Sequence, residues 1–164
     1  MTLPAVVQTK FHPHQSTAYG PISALKKFCD ENGILFNGYS PMGRADWTRF
    51  ESSVGKPTLF QEPALLDIAK RVQKTPGQVL LRWNIQQGVA TQARSINPTH
   101  IKDNMDVFDW TLSNADMQTL SSMPQCHTPP GNLNHTLTAG CPFMKDDSKE
   151  YPGHCNMIGP TVTC

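Results

Sequence analysis

"VATQARSINPTHIKDN", residues 89–104, opens as a strand and becomes a helix with almost no loop between. Val89 to Ser95 is β-branched and apolar enough for a short buried strand. Asn97-Pro98 is a helix opening, with asparagine as the cap and proline at the first helical position. Arg94 and Ser95 stand at the strand's end, just before the free N–H groups of that helix. An arginine fork beside a helix N-terminus suits a phosphate. A strand that feeds a helix in this way belongs to parallel α/β folds, whose ligands bind at the C-terminal ends of the strands.

Upstream, the same alternation recurs. "ILFNGYS" (34–40) reads as a strand, and the helix before it opens at Gly20-Pro21, carries Ile22, Leu25, Phe28 and Cys29, and closes at Gly33. "PAVVQTKF" (4–11) is the first strand. Strand, helix and strand in so short a span make a βαβ unit, whose crossover implies parallel pairing. Residues 41–61 show no periodicity and exceed the usual connection length of about 12–15 residues. A helix starts at Pro63 with Leu65, Leu66, Ile68, Ala69 and Val72. Another starts behind the Thr75–Gln78 capping box and buries Val79, Leu80 and Trp83. Downstream, the helix after Asn97 bears Ile101, Met105 and Phe108, and Ser113 with Asp116 caps a last one holding Met117 and Leu120. Past Gln125 come five prolines and four glycines in 40 residues, with no helical stripe. The expected division is a partial-barrel domain over 1–124 and an irregular Pro/Gly/Cys-rich tail over 125–164.

Bulk composition narrows the function. A net charge of +1 gives no footprint for nucleic acid, and no apolar run nears the roughly 18 residues of a membrane span. No secretory or transit segment is legible after Met1, so an intracellular setting, cytoplasm or organelle interior, is expected. Cys29 reads as a buried small hydrophobe. Cys126, Cys141, Cys155 and Cys164 lie in the tail without a CxxC. A disulfide-tied tail and a zinc site with His127 or His154 both stay open. The Asn134 sequon is read as chance.

Three strand ends carry chemistry. Gln8 offers an amide. Tyr39-Ser40-Pro41-Met42-Gly43 offers an aromatic face, a hydroxyl and a close backbone approach. Arg94-Ser95 precedes the helix bearing Asp103 and Asn104. Each has a plainer reading: a solvated Gln8, a packing Tyr39, ordinary loop chemistry at Arg94-Ser95, solvated helix residues at Asp103 and Asn104.

Together "PAVVQTKFHP", "GILFNGYSPMG", "TPGQVLLRW", "ARSINPTHIKDN" and "VFDWTLSNADMQTL" resemble the C-terminal half of an aldo-keto reductase, over roughly residues 4–122. The resemblance implies an α/β fold, a partial (β/α) barrel of about three parallel strands with helices, equivalent to the sixth to eighth strands of the family's barrel. It also implies cofactor roles toward NADP. Gln8 would hold the nicotinamide carboxamide, Tyr39 would stack on the ring, and Ser40 and Met42 would line the pyrophosphate. Arg94 and Ser95 would meet the 2′-phosphate, and Asp103 and Asn104 the adenine side. Departures weaken this. His100 stands where the family commonly has arginine, Arg44 where it has a small polar residue, and Val7 and Lys10 where it has asparagine and glutamate. The family's catalytic aspartate, tyrosine, lysine and histidine all lie upstream of the matched segment, while His12-Pro13 matches a structural pair. Three functions follow as alternatives: a non-catalytic accessory or structural subunit in which NADP binding is weak or absent; an NADPH-dependent carbonyl reductase completed by an N-terminal half; or a free-standing NADP-binding or redox-sensing module. In the first, other protein chains cover the open barrel edges and an inward face expected to comprise Val6, Leu35 and Val89.

Overall fold

The computed structural model describes residues 2–16, 21–43 and 59–123, with the backbone of 156–158 and 161–163. The readings made for Arg44 and for the four tail cysteines lie outside the described residues.

Strands β1 (Val6–Lys10), β2 (Leu35–Tyr39) and β3 (Ala90–Gln92) form one parallel sheet in the order β1-β2-β3. The register aligns Val6 with Leu35, Gln8 with Asn37 and Ala90, and Lys10 with Tyr39 and Gln92. The strands are shorter than their sequence segments suggest because the ladder ends where the neighbour does: β3 pairs only with Asn37–Tyr39. Between β1 and β2 runs α1 (Pro21–Glu31), which Gly33 terminates at φ +66 as Ile34 N–H donates to Cys29 O at 2.9 Å. Its apolar stripe is Ile22, Leu25 and Cys29, whereas Phe28 is turned outward and 47% exposed.

A 3₁₀ turn (Leu59–Gln61) leads into α2 (Pro63–Val72) and α3 (Pro76–Gln86). Thr75 and Gln78 form the expected capping box, and Gln78 Nε2 also donates to Asp106 O and Oδ2 at 3.0 and 2.9 Å. The last two helices are α4 (Pro98–Met105) and α5 (Asn114–Ser121). Ser113 and Asp116 make a second capping box, and both Asp116 oxygens accept from the Arg71 guanidinium, which ties α5 to α2. No residue of α4 is buried: Ile101, Met105 and also Phe108, which falls beyond the helix end, are exposed. A helical stripe read from sequence therefore lies without cover among the described residues.

Helices pack on one face of the sheet. Phe11 stacks on Trp83 at 5.2 Å and meets Phe36 edge-on at 5.5 Å, and Leu65, Val79, Leu80 and Leu120 close the core around them. Each such side chain contributes about 1.5–3 kcal/mol by leaving water. Trp83 Nε1 donates to Ser121 Oγ at 3.1 Å, which satisfies its one polar atom. The alternation of a strand sends Val6, Gln8, Leu35 and Tyr39 to the other face. Among the described residues no helix packs on that face: Val6 is 47% and Leu35 49% exposed, while Lys10, Asn37 and Ala90 are half-buried. Val89 departs from expectation. It is buried, and a Cβ built on Gly38 would approach its Cγ1 to 3.0 Å, so it faces the helices. Ala90 is the residue that pairs with Asn37, so Val89 shares the parity of Phe36 rather than of Leu35.

Within the tail, β4 (Asn156–Ile158) and β5 (Thr161–Thr163) pair antiparallel. The sequence reading expected no regular structure there. The segments are rich in β-branched residues, but three residues each is too short for a legible alternation.

Candidate functional site

The C-terminal ends of β1, β2 and β3 place the expected residues along one rim. Gln8 is exposed on β1 in the row of Asn37 and Ala90. Tyr39 lies one row further on, between Lys10 and Gln92 and 44% exposed. The amide and the ring thus share the bare face. Lys10 and Tyr39 are the only titratable residues that β1–β3 present there.

After Tyr39 the chain turns at once. Ser40 adopts a left-handed conformation (φ 51) and its carbonyl accepts from Gly43 N–H at 2.9 Å, with Gly43 itself at φ +66. A left-handed non-glycine residue at a strand end is the kind of strain associated with binding loops. Met42 does not line this loop with its side chain. It packs on the core and against α3, where a Cβ added to Gly77 would meet its Cε at 3.3 Å. That packing joins residues 35 positions apart, a fact that local sequence does not carry.

At the end of β3, Arg94 is exposed. Ser95 Oγ accepts from Asn97 N–H at 3.1 Å, and Asn97 Oδ1 accepts from Thr99 N–H at 2.9 Å. Pro98 has no N–H, so His100 holds the one amide of the first three helical residues that these caps leave. Part of the apparent anion site is thus consumed in starting α4. Asp103 and Asn104 lie half-buried along the same helix, while His100 is exposed. The rim thus carries an exposed amide at Gln8, an exposed aromatic ring at Tyr39 and, past β3, an exposed guanidinium at Arg94.

Below the rim, His12 is 7% exposed and neither ring nitrogen has a hydrogen-bond partner. Burial, then the charges of Lys10 and His14, push its pKa down to about 3. It stays neutral and enclosed at ordinary pH, consistent with a structural His-Pro. Next to it, His14 Nε2 lies 3.3 Å from Glu62 Oε1, which ties the turn after β1 to the start of α2. The sequence reading did not single out this contact, since 48 positions separate the partners. Among the described residues no group of three His, Cys, Asp or Glu side chains is placed to hold a metal ion.

Residues 2–124 match the family described as "Aldo/keto reductase family". Aldo-keto reductase family 1 member A1 of Xenopus tropicalis is 36% identical over 122 residues, covering 73% of this chain and 35% of the relative. The Gallus gallus protein of that name is 33% identical over 156 residues, covering 93% of this chain and 42% of its own length. Among solved structures, an aldo/keto reductase from Brucella melitensis superposes with a TM-score of 0.60 at 28% identity, over 73% of this chain and 39% of that one. A Gox0644 variant in complex with NADPH superposes with a TM-score of 0.63 at 27% identity, over 76% and 40%. This chain spans about two fifths of the length of these relatives. The match runs through all three sheet strands and their helices, and the chain belongs to the aldo/keto reductase family.

Proposed function

We propose that this 164-residue chain does not reduce carbonyls by itself and serves as a non-catalytic component of a larger protein assembly. The observation that carries this is the bare sheet face. Val6, Leu35 and Tyr39 are each almost half exposed, and the outer edges of β1 and β3 pair with no other strand among the described residues. Apolar parallel sheets are covered on both faces in stable proteins, and open edges invite pairing. In this reading another protein chain supplies the cover.

The residues for NADP are retained in part. Gln8 and Tyr39 would hold the nicotinamide end, Ser40 and the backbone of Met42 the pyrophosphate, Arg94 and Ser95 the 2′-phosphate, and Asp103 and Asn104 the adenine side. When bound, the dinucleotide supplies hydride. Carbonyl reduction also needs a donor for the proton of the developing alkoxide. Tyr39 is engaged as the stacking surface, and His12 is neutral and sealed in the core, so neither fills that role.

A second reading keeps the chain catalytic. In it the cover is an aldo-keto reductase N-terminal half that brings the acid, and the whole is an NADPH-dependent carbonyl reductase. The retained amide and ring on the open face favour it. Purified chain incubated with NADPH and a panel of aldehydes and quinones should show no absorbance loss at 340 nm, the band characteristic of the reduced nicotinamide. Turnover that vanishes in Tyr39→Ala would overturn the first reading. Turnover that appears only on co-expression with such an N-terminal half would establish the second.

A further inference from the structure

"CNMIGPTVTC", residues 155–164, carries a cysteine at each end and the β4–β5 pair between them. Ile158, Thr161, Val162 and Thr163 are strand formers, and Gly159-Pro160 is a dipeptide that turns a chain. The two strands run antiparallel, with Ile158 opposite Thr161, Met157 opposite Val162 and Asn156 opposite Thr163. Each step away from the connection moves one residue back along β4 and one forward along β5. The step that follows Asn156–Thr163 is Cys155–Cys164. Neither Cys126 nor Cys141 adjoins a described strand.

We propose that the β4–β5 ladder extends by this one pair and that Cys155 and Cys164 form a disulfide across it. Opposed residues of an antiparallel ladder share a face, with Cα atoms about 4.5 or 5.5 Å apart according to the kind of pair. A disulfide spans Cα separations of about 4.4–6.8 Å, so a pair of either kind meets its geometry. These are also the two tail cysteines closest in sequence, so the loop between them closes at the lowest entropic cost. The reaction needs a two-electron oxidant, and a low-molecular-weight disulfide such as oxidised glutathione supplies it. One cysteine thiolate attacks that disulfide and releases a first thiol; the other cysteine then displaces the second. The protein loses two electrons and two protons, and the oxidant leaves as two thiols. A hairpin with three residues in each strand is marginal in water by itself. A cross-link at its open end, opposite the connection, holds both ends together. The thiol–disulfide balance around the chain thereby sets whether the hairpin persists, and no residue of the rim takes part.

Mass spectrometry of the full chain tests this. Trypsin cuts after Lys149 and at no later residue, so the peptide 150–164 carries both cysteines, while Cys126 and Cys141 leave together on the peptide 103–145. The chain is equilibrated with oxidised glutathione, alkylated with iodoacetamide and digested. The peptide 150–164 should then be unalkylated and two hydrogens lighter than its dithiol form. After cyanogen bromide cleavage at Met157 its halves should stay joined until reduced. In Cys155→Ser, Cys164 should be alkylated. The register should favour closure beyond what nearness in sequence provides. Against a mixture of reduced and oxidised glutathione, the equilibrium constant for closing should therefore fall at least about tenfold in concentrated urea. An equal constant with and without urea overturns the proposal. So does a peptide 150–164 that is alkylated at both cysteines, one linked to the peptide 103–145, or a native chain that holds stoichiometric zinc through these two thiols.

Discussion

Gly38 shows how little room the helix-facing side of the sheet leaves. A Cβ there would meet Phe11 Cβ and Val89 Cγ1 at 3.0 Å and Asn84 Oδ1 at 3.4 Å. The first of these belongs to the fully buried Phe11–Trp83 stack, so it cannot swing aside. Gly38→Ala should cost about 1–3 kcal/mol by overpacking, read as a lower urea midpoint with an unchanged slope. An unaltered midpoint would mean that Phe11 and Val89 have slack the packing does not suggest. His12 makes a prediction in pH. Its folded pKa of about 3 lies below the ordinary histidine value of 6.5, so the unfolded chain takes up the proton first. Its contribution to stability is complete above about pH 6.5 and is lost as pH falls toward 3, at up to about 1.4 kcal/mol per unit. Denaturation at pH 7, 6 and 5 should show that decline in the wild type and a flatter curve in His12→Leu. Equal slopes would count against the burial of a neutral imidazole.

Helix ends were the most legible part of this chain, because a cap is a local event. Thr75 with Gln78, Ser113 with Asp116, Asn97 before Pro98 and Gly33 after α1 all act as their residue types dictate. What those residues do at a distance was not legible. Asp116 also accepts the Arg71 guanidinium from α2, 45 positions away, and Gln78 also donates to Asp106. Asp116 consequently titrates low, at about 2, held down by Arg71 first and Ser113 next. Removing it abolishes a cap and strands Arg71, whereas Arg71 itself is 58% exposed and loses little when cut back. Asp116→Ala should therefore cost about 1–2 kcal/mol and Arg71→Ala under about 1 kcal/mol in the same thermal assay. Comparable losses would mean the ion pair, rather than the cap, holds α5. Side-chain direction was likewise beyond the sequence. Met42 turns inward onto Gly77, Val89 turns toward the helices, and the Ile101–Met105 stripe finds no cover among the described residues, because each depends on register or on a neighbour distant in the chain.

At the scale of the molecule, the alternation of strand and helix and its parallel order were readable from 40 residues of pattern, and the rim followed from it. The affinity of that rim was not. Each missing bidentate or charge-assisted contact costs on the order of 1.5–3 kcal/mol, and losing two lowers affinity by orders of magnitude. The chain alone should bind NADPH more weakly than micromolar by calorimetry, and a saturating micromolar isotherm abolished by Arg94→Ala would refute that. The helix layer has a further consequence through Cys29. Its thiol is 0% exposed on the inner side of α1, and it is the only cysteine among the described residues. A sealed thiol cannot be alkylated until the layer above it opens, so its modification rate is a clock for that opening. In a variant with serine at Cys126, Cys141, Cys155 and Cys164, labelling should be slow in buffer. It should accelerate with denaturant along the slope of global unfolding if α1 leaves only when the whole slab does. A rate indifferent to denaturant would instead reveal α1 lifting from the sheet alone, as a breathing motion at fixed global stability.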